Sequence, residues 1–254
     1  MTSQPHFGVI LTRLLAHRRT DLVRLSSESG IAEGELHRVL AGAPPSTAQL
    51  GLLAPALGFR SVDLHVIAGV PMPRPPAVRD SAAGTEIVEL VKTARALSAD
   101  HRARVRRLVV ELPLVAEERP PAPPSLYDQQ EAGFGAMLAN LLCGNRNLHS
   151  PVVAAKTLAV LTEGRVYLAA STIGGIGRGR VPLTPLRVAG FAAALGIPAG
   201  DLAAVTGVER VESSWAADPA TAETAALLWE SRRLTRDQAL RVRSEAEALL
   251  GPSR

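Results

Sequence analysis

Six histidines, one cysteine and a run of glycines are the residues of this 254-residue chain whose types suit catalytic or ligand chemistry. His6, His17, His37, His65, His101 and His149 show no metal-ligand spacing with one another. Cys143 stands alone, which excludes an internal disulfide and a cysteine-rich metal site. It falls beside an apolar helical stripe and reads as a buried structural residue rather than a nucleophile. Gly174-Gly175-Ile176-Gly177-Arg178-Gly179 superficially suggests a phosphate loop. It lacks the following Lys-Ser/Thr and trails a helical segment instead of a strand, so a nucleotide site is not expected. The serines fall at caps and turns and make no Ser-His-Asp arrangement. Neither catalysis nor a cofactor or metal is expected.

Arginine is the other chemically rich residue type. Of 28 basic residues only Lys92 and Lys156 are lysine, against 24 acidic residues, for a net charge of +4. A guanidinium can pair bidentately with phosphate or with guanine, although a GC-rich genome accounts for the same bias. So small an excess is compatible with nucleic acid but does not demand it. The run His101-Arg102-x-Arg104-x-Arg106-Arg107 reads first as a solvated helix face, and second as a DNA-backbone contact.

The elements that must position these groups are helical. Aromatics are 3% of the chain and apolar residues 46%, so the core must be built of Leu, Val, Ile and Ala. These favour helix over strand where Ala and Leu dominate. Apolar positions 7, 10, 11, 14 and 15 form one stripe of a first helix over 7–17. Thr20 or Asp21 caps a second helix to about Glu28. Ser29-Gly30-Ile31 makes a tight turn, and a third helix follows over 32–41. Ser46 or Thr47 caps a fourth through Leu57, and a short fifth covers 61–68. Residues 83–112 read as a helical hairpin. No apolar run reaches the ~18 residues of a membrane span and no secretory leader is visible, so no membrane partner and a cytoplasmic, nucleoid-associated location are expected.

The pattern is written twice. Phe7-Gly8 recurs as Phe134-Gly135, a shift of 127; Glu33-Gly34 recurs as Glu163-Gly164, a shift of 130. Leu57-Gly58, Asp63-Leu64 and Gly69-Val70 recur as Leu195-Gly196, Asp201-Leu202 and Gly207-Val208, a shift of 138. Leu97-Ser98-x-Asp100 returns as Leu234-Thr235-x-Asp237. A repeat of this length means two related units rather than a solenoid. The second unit is expected to place helices at 134–143, 151–159, 162–170, 184–195 and 199–205, with a second hairpin over 220–250. The rise in shift from 130 to 138 places an eight-residue insertion, read as a loop, at Ser171–Arg180. The expected division is 1–76 for the first domain, 77–119 for its hairpin, 120–131 for a Pro-rich linker, 132–212 for the second domain and 213–254 for the second hairpin.

Leu25, Ile31, Leu36 and Val39 around the tight turn make a helix-turn-helix pattern. The segment Asp21-Leu-Val-Arg-Leu-Ser-Ser-Glu-Ser-Gly-Ile-Ala-Glu-Gly-Glu-Leu-His-Arg-Val-Leu-Ala-Gly42, with Leu53-Ala54-x-Ala56-Leu57-Gly58, resembles the lambda-repressor-like, or XRE, family of five-helix DNA-binding domains. The resemblance covers 7–70 and, less well, 134–208; the hairpins resemble appendages of actinobacterial members. It implies an all-α chain of two tandem five-helix domains, each followed by a hairpin, with double-stranded DNA as partner. It implies that Glu33, Gly34, His37 and Arg38 face the bases, where Arg38 can pair with guanine and Glu33 can accept from cytosine. Arg18, Arg19 and Arg24, with Ser26 or Ser27, then reach phosphates.

Departures from the family accompany it: Leu22 where a polar amide is usual, and Glu33 and Glu35, which favour the helix dipole but repel phosphate. Gly34 reads either as a close approach to DNA or as an inherited residue at a forgiving first turn. In the second copy Tyr167 and Leu168 replace His37 and Arg38, and Val160 stands at the turn glycine. Arg165 is the one cation on that helix, and Arg178 and Arg180 in the glycine-rich loop read either as phosphate grips or as part of a solvated loop. Trp229 is expected to pack its hairpin onto a domain or a second chain. The leading expectation is a sequence-specific transcriptional regulator working as an internal pseudo-dimer, with homodimerisation through the hairpins as a further option. Its rival is a protein-interaction module that kept the fold and lost base reading. A small-molecule sensor with a ligand between hairpin and domain is a distant third.

Overall fold

The computed structural model describes residues 4–72, 80–115, 127–212, 215 and 218–251, and among them there are fourteen α-helices and no strand. Most of the proline-rich stretches, 73–79 and 116–126, where a stiff connector and a linker were expected, lie outside the described residues.

The first five helices are α1 (Phe7–Arg18), α2 (Leu22–Ser29), α3 (Glu33–Leu40), α4 (Thr47–Ala56) and α5 (Ser61–Ala68). Their starts follow local chemistry. The Asp21 carboxylate accepts from the Arg24 N–H, and Ser46 forms a reciprocal capping box with Gln49. Gly30 and Gly69 close α2 and α5 in the left-handed region. Ile10, Leu11, Leu14, Leu25, Leu36, Val39, Leu50, Leu53 and Leu64 are fully or almost fully buried, which is the aliphatic core the composition required. The main packing of α2, α3 and α4 stays within this set.

The hairpin α6 (Gly84–Arg95) and α7 (Ala99–Glu111) follows, then α8 (Gln129–Asn140), α9 (Pro151–Leu161), α10 (Ala170–Gly177), α11 (Pro185–Leu195) and α12 (Ala199–Thr206). The chain ends in α13 (Pro219–Ser231) and α14 (Arg236–Leu250). Gly133, at φ 57°, kinks α8 after its first turn, and a π turn at Leu141–Asn145 extends its far end.

The third helix of the second set is not where the sequence repeat put it. Residues 162–169 are a loop, in which Glu163 and Gly164 both take positive φ (53° and 76°), so neither is helical. Ser171–Arg180, expected as an inserted loop, instead supplies α10. Packing explains the exchange. In the first set Gly8 of α1 lies so close to the Val39 and Leu40 carbonyls of α3 that a Cβ would collide with them. In the second, Gly135 of α8 meets the Ile176 carbonyl of α10 in the same way. Leu36 and Val39 thus correspond to Ile173 and Ile176, all buried, at a shift of 137. The extra length lies before the third helix: an eight-residue loop, 162–169, replaces the three-residue turn 30–32.

The hairpins do not stand alone beside their own domains. Both helices of the first touch both helices of the second, forming a four-helix cluster. Ion pairs cross it: Arg102 to Glu223 (2.5 Å), Arg106 to Glu230 and Arg243 to Glu86 (2.6 Å). Arg102 and Arg106, two of the four arginines in the basic run on α7, are therefore internal pairing partners. The cluster rests on the second set, α6 against α9 and α13 against α11. The two five-helix sets join through α1 on α12 and α5 on α8 and its π turn.

Candidate nucleic-acid interface

The surface of α3 is the least encumbered of the expected sites. Leu36 and Val39 point into the core, which leaves Glu33, Gly34, His37 and Arg38 exposed on the outer face. A Cβ at Gly34 would meet nothing within 4 Å, so the first turn of α3 is open to a close approach. The Arg38 side chain is 71% exposed, and its Nη2 lies 3.4 Å from Glu35 Oε1 one turn earlier. The His37 ring Nδ1 lies 3.0 Å from the Glu33 carbonyl oxygen, the ordinary back-contact of a helical histidine.

Around this face the candidate phosphate contacts divide. Arg24 donates to Glu28 at 2.7 Å, and that hydrogen bond raises its pKa. Arg19, at the left-handed C-cap of α1, and Ser27 on α2 are exposed. Ser26 donates to the Ile31 carbonyl and secures the turn instead. Arg18 is committed elsewhere: its Nε and Nη2 donate to the two Asp201 oxygens at 2.9 and 2.7 Å. That pair joins the two five-helix sets, so Arg18 is corrected from phosphate contact to interface residue.

The second set presents a different surface. At the shift of 137, Glu33, Gly34, His37 and Arg38 correspond to Ala170, Ser171, Gly174 and Gly175. Where the first set has a histidine and an arginine, α10 has two glycines. Their space is occupied: an added Cβ at Gly174 would be 2.9 Å from Arg178 Nη1, and one at Gly175 2.6 Å from the Val181 side chain. One at Gly177 would be 2.7 Å from the Tyr127 ring. Arg178 is thus no loop cation; it is the C-cap of α10, folded back over the Tyr127 ring at 5.7 Å. Arg180 follows, exposed. Arg165, expected on a helix, sits in the loop 162–169 instead, exposed beside Tyr167, which is 81% exposed. Val166 between them is buried against Gly190 and near Ala189, Ala193 and Trp215, which fixes the loop to α11.

The crevice between hairpin and domain is an open groove of about 450 Å³ lined by Lys92, Arg95, Ala96, Ala159, Val160, Glu163 and Gly164. Arg95 already donates to Glu163 (2.5 Å), Asp218 (2.9 Å) and Thr221 (3.0 Å). Arg95 thus ties the first hairpin to the loop 162–169 and to the start of α13. Cys143 is buried in the π turn, and burial pushes its thiol up to about 12. Among the described residues no cluster of three or more His, Cys, Asp or Glu is placed to hold a metal, and no single helix is long and apolar enough to cross a membrane.

Residues that sequence reasoning passed over carry the join. Arg146 is fully buried and pairs end-on with Asp63, its Nη2 donating to Asp63 Oδ2 at 2.8 Å. Asn145 Nδ2 donates to Asp63 Oδ1 at 2.8 Å. Asp63 and Asp201 were visible as repeat anchors, and an aspartate kept amid apolar residues in both copies was the available signal. Comparison with protein-family models, with curated proteins and with solved structures finds no match for this chain.

Proposed function

We propose that the chain is a sequence-specific DNA-binding regulator that reads bases with α3 alone, the second five-helix set serving as its structural partner. The observation that carries this reading is the contrast between two corresponding helices. The outer face of α3 is bare, with Arg38 and His37 exposed, whereas on α10 glycines stand at the matching positions, packed over by Arg178, Val181 and Tyr127. A short, tightly turned α2–α3 pair with an unobstructed second helix is the geometry that enters a major groove. Arg38 then meets a guanine edge, and Arg19, Arg24 and Ser27 lie where phosphates flank it. Arg165 and Arg180 are secondary backbone contacts at most. With one reading helix per chain the operator is asymmetric, a single half-site unless two chains meet on DNA.

Footprinting the full chain on genomic fragments at several salt concentrations tests this. A discrete protected site is expected, with affinity falling linearly in log salt according to the phosphates neutralised. Weak, sequence-blind binding at every salt concentration sinks the proposal.

One observation favours the rival reading, a protein-interaction module. Arg24 and Arg38, two of the candidate contacts, already have acidic partners on their own helices, Glu28 and Glu35. On that reading the chain gives no footprint, and the α3 face is protected from exchange by a protein partner.

A further inference from the structure

The polar side chains of α3 are not equally free. Glu33, His37 and Arg38 are exposed, whereas Glu35 is half-buried on the side of α3 that meets the start of α4. Its two carboxylate oxygens are divided between two partners. Oε1 accepts from Arg38 Nη2 one turn on, and Oε2 accepts from Gln49 Nε2 on α4, both at 3.4 Å.

Gln49 is itself fixed. Its Oε1 accepts from the Ser46 N–H at 2.8 Å, and its own backbone N–H donates to Ser46 Oγ at 3.2 Å, the two halves of the capping box. With the amide oxygen taken, the amide nitrogen is the end that remains for Glu35, and an ionised carboxylate can only accept. The donor and acceptor roles along Ser46, Gln49, Glu35 and Arg38 are therefore single-valued. A backbone cap on one helix sets the resting position of a guanidinium on another.

Contacts of 3.4 Å are long, and exposed ion pairs of this kind add little stability. What they supply is direction. Arginine loses much rotamer freedom when it is ordered, and a fork held in place beforehand has less to lose on contact. Glu35 engages one of five guanidinium N–H donors, which leaves enough for the two acceptors of a guanine edge. Its charge acts in a second way. A carboxylate beside the reading face repels phosphates, whose contribution to binding is the same for every sequence.

We propose that Glu35 is the specificity-determining residue of α3: it holds Arg38 in the aim that a guanine edge requires and weakens binding to all other DNA. This rests on the reading that α3 binds DNA. Glu35 touches no base and acts through Arg38, as a positioning residue. On this account the ion pair that favours the rival reading is part of the reading apparatus.

The test compares the full native chain with Glu35→Gln, Glu35→Asp and Glu28→Gln. Binding-site selection first locates the base position whose preference Arg38→Ala erases. Affinities are then measured for the selected duplex, for its variants at that position and for an unrelated duplex. In Glu35→Gln the preference at that position falls at least ~5-fold, the lower end of what one bidentate pair supplies. Its affinity for the unrelated duplex rises ~2- to 5-fold as a like charge leaves the surface. A residue that merely held the fold would lower both. Glu35→Asp keeps the charge but is too short to span Arg38 and Gln49, so it loses the preference without the gain on unrelated DNA. Glu28→Gln removes the same charge from α2 and gains on unrelated DNA without losing the preference. Should circular dichroism show Glu35→Gln unfolded, Glu35→Asp is read by the preference alone. A native footprint with unchanged preference in either Glu35 variant overturns the role of Glu35 and leaves the DNA reading standing. A native chain without a discrete footprint overturns the DNA reading, and this role with it.

Discussion

Arg18 holds Asp201 through two hydrogen bonds, and 128 residues later Arg146 holds Asp63 in return. Each arginine ends the first helix of one set, and each aspartate lies in the first turn of the fifth helix of the other. The flanking residues follow suit. His17 Nε2 lies 3.9 Å from Asp201, as Asn145 lies at 2.8 Å from Asp63. Arg19 and Asn147 then both turn into the left-handed region, at φ 52° and 59°. This reciprocity is the mark of an isologous dimer interface, here within one chain. The shift is 127 at Phe134 and 128 at Arg146; the π turn between them absorbs the extra residue.

The two pairs differ in burial, and so should their energies. Arg146 is wholly buried, whereas the Arg18 side chain is 26% exposed. Asp63→Ala leaves a buried cation without its partner and should cost about 3–5 kcal/mol. Asp201→Ala removes charged hydrogen bonds that water partly replaces, for about 1.5–3 kcal/mol. Denaturant unfolding of the full chain measures both, and equal losses would contradict the burial argument.

Glycines of opposite purpose give a second test. Gly8→Ala and Gly135→Ala each drive a methyl group into a carbonyl of the third helix. Each should lose about 1–3 kcal/mol or more, as overpacking does. Gly34→Ala meets open space in a helix and should instead gain about 0.5–1 kcal/mol. Thermal midpoints of the three variants settle the order.

For the proposed DNA reading, Arg38→Ala should cost about 1–3 kcal/mol and relax preference at a single base position. Arg165→Ala, on the loop of the second set, should leave every base preference intact. Binding-site selection with both proteins is the measurement. A preference lost at a second position with Arg165→Ala means that the second set reads bases too.

Cys143 gives a pH test. Burial raises its thiol from 9.0 to about 12. The folded state therefore favours the protonated form: its contribution is intact below the free-thiol value and is lost as pH climbs through about 12. A thiol reagent at pH 8 should label the native chain negligibly and the unfolded chain stoichiometrically. Full labelling of the native chain would show that the π turn opens.

The first set was largely legible because its helix boundaries are chemical. Asp21, Gly30, Ser46 and Gly69 cap or stop helices by local rules, and the residues at α3 ended where periodicity placed them. The second set was misread at one helix for a physical reason. Gly174, Gly175 and Gly177 give α10 poor helix propensity, and Glu163-Gly164 imitated the start of α3. Tertiary packing decided otherwise: Ile173 and Ile176 are buried, and α10 closes on Gly135. The repeated Leu-x-x-Val and Ile-x-x-Ile spacing held that answer. The join between the sets was illegible for another reason, since Arg146 and Asp63 meet only after separate segments have packed.

A chain that carries its own partner has no dissociation constant for that partnership. Two separate subunits would part on dilution below the dissociation constant of their interface, whereas here the tether keeps the two halves at high effective concentration. Any activity that needs both sets side by side should hold constant per molecule down to a single copy in a cell, and a shortage of protein should reduce its amount without altering its assembly.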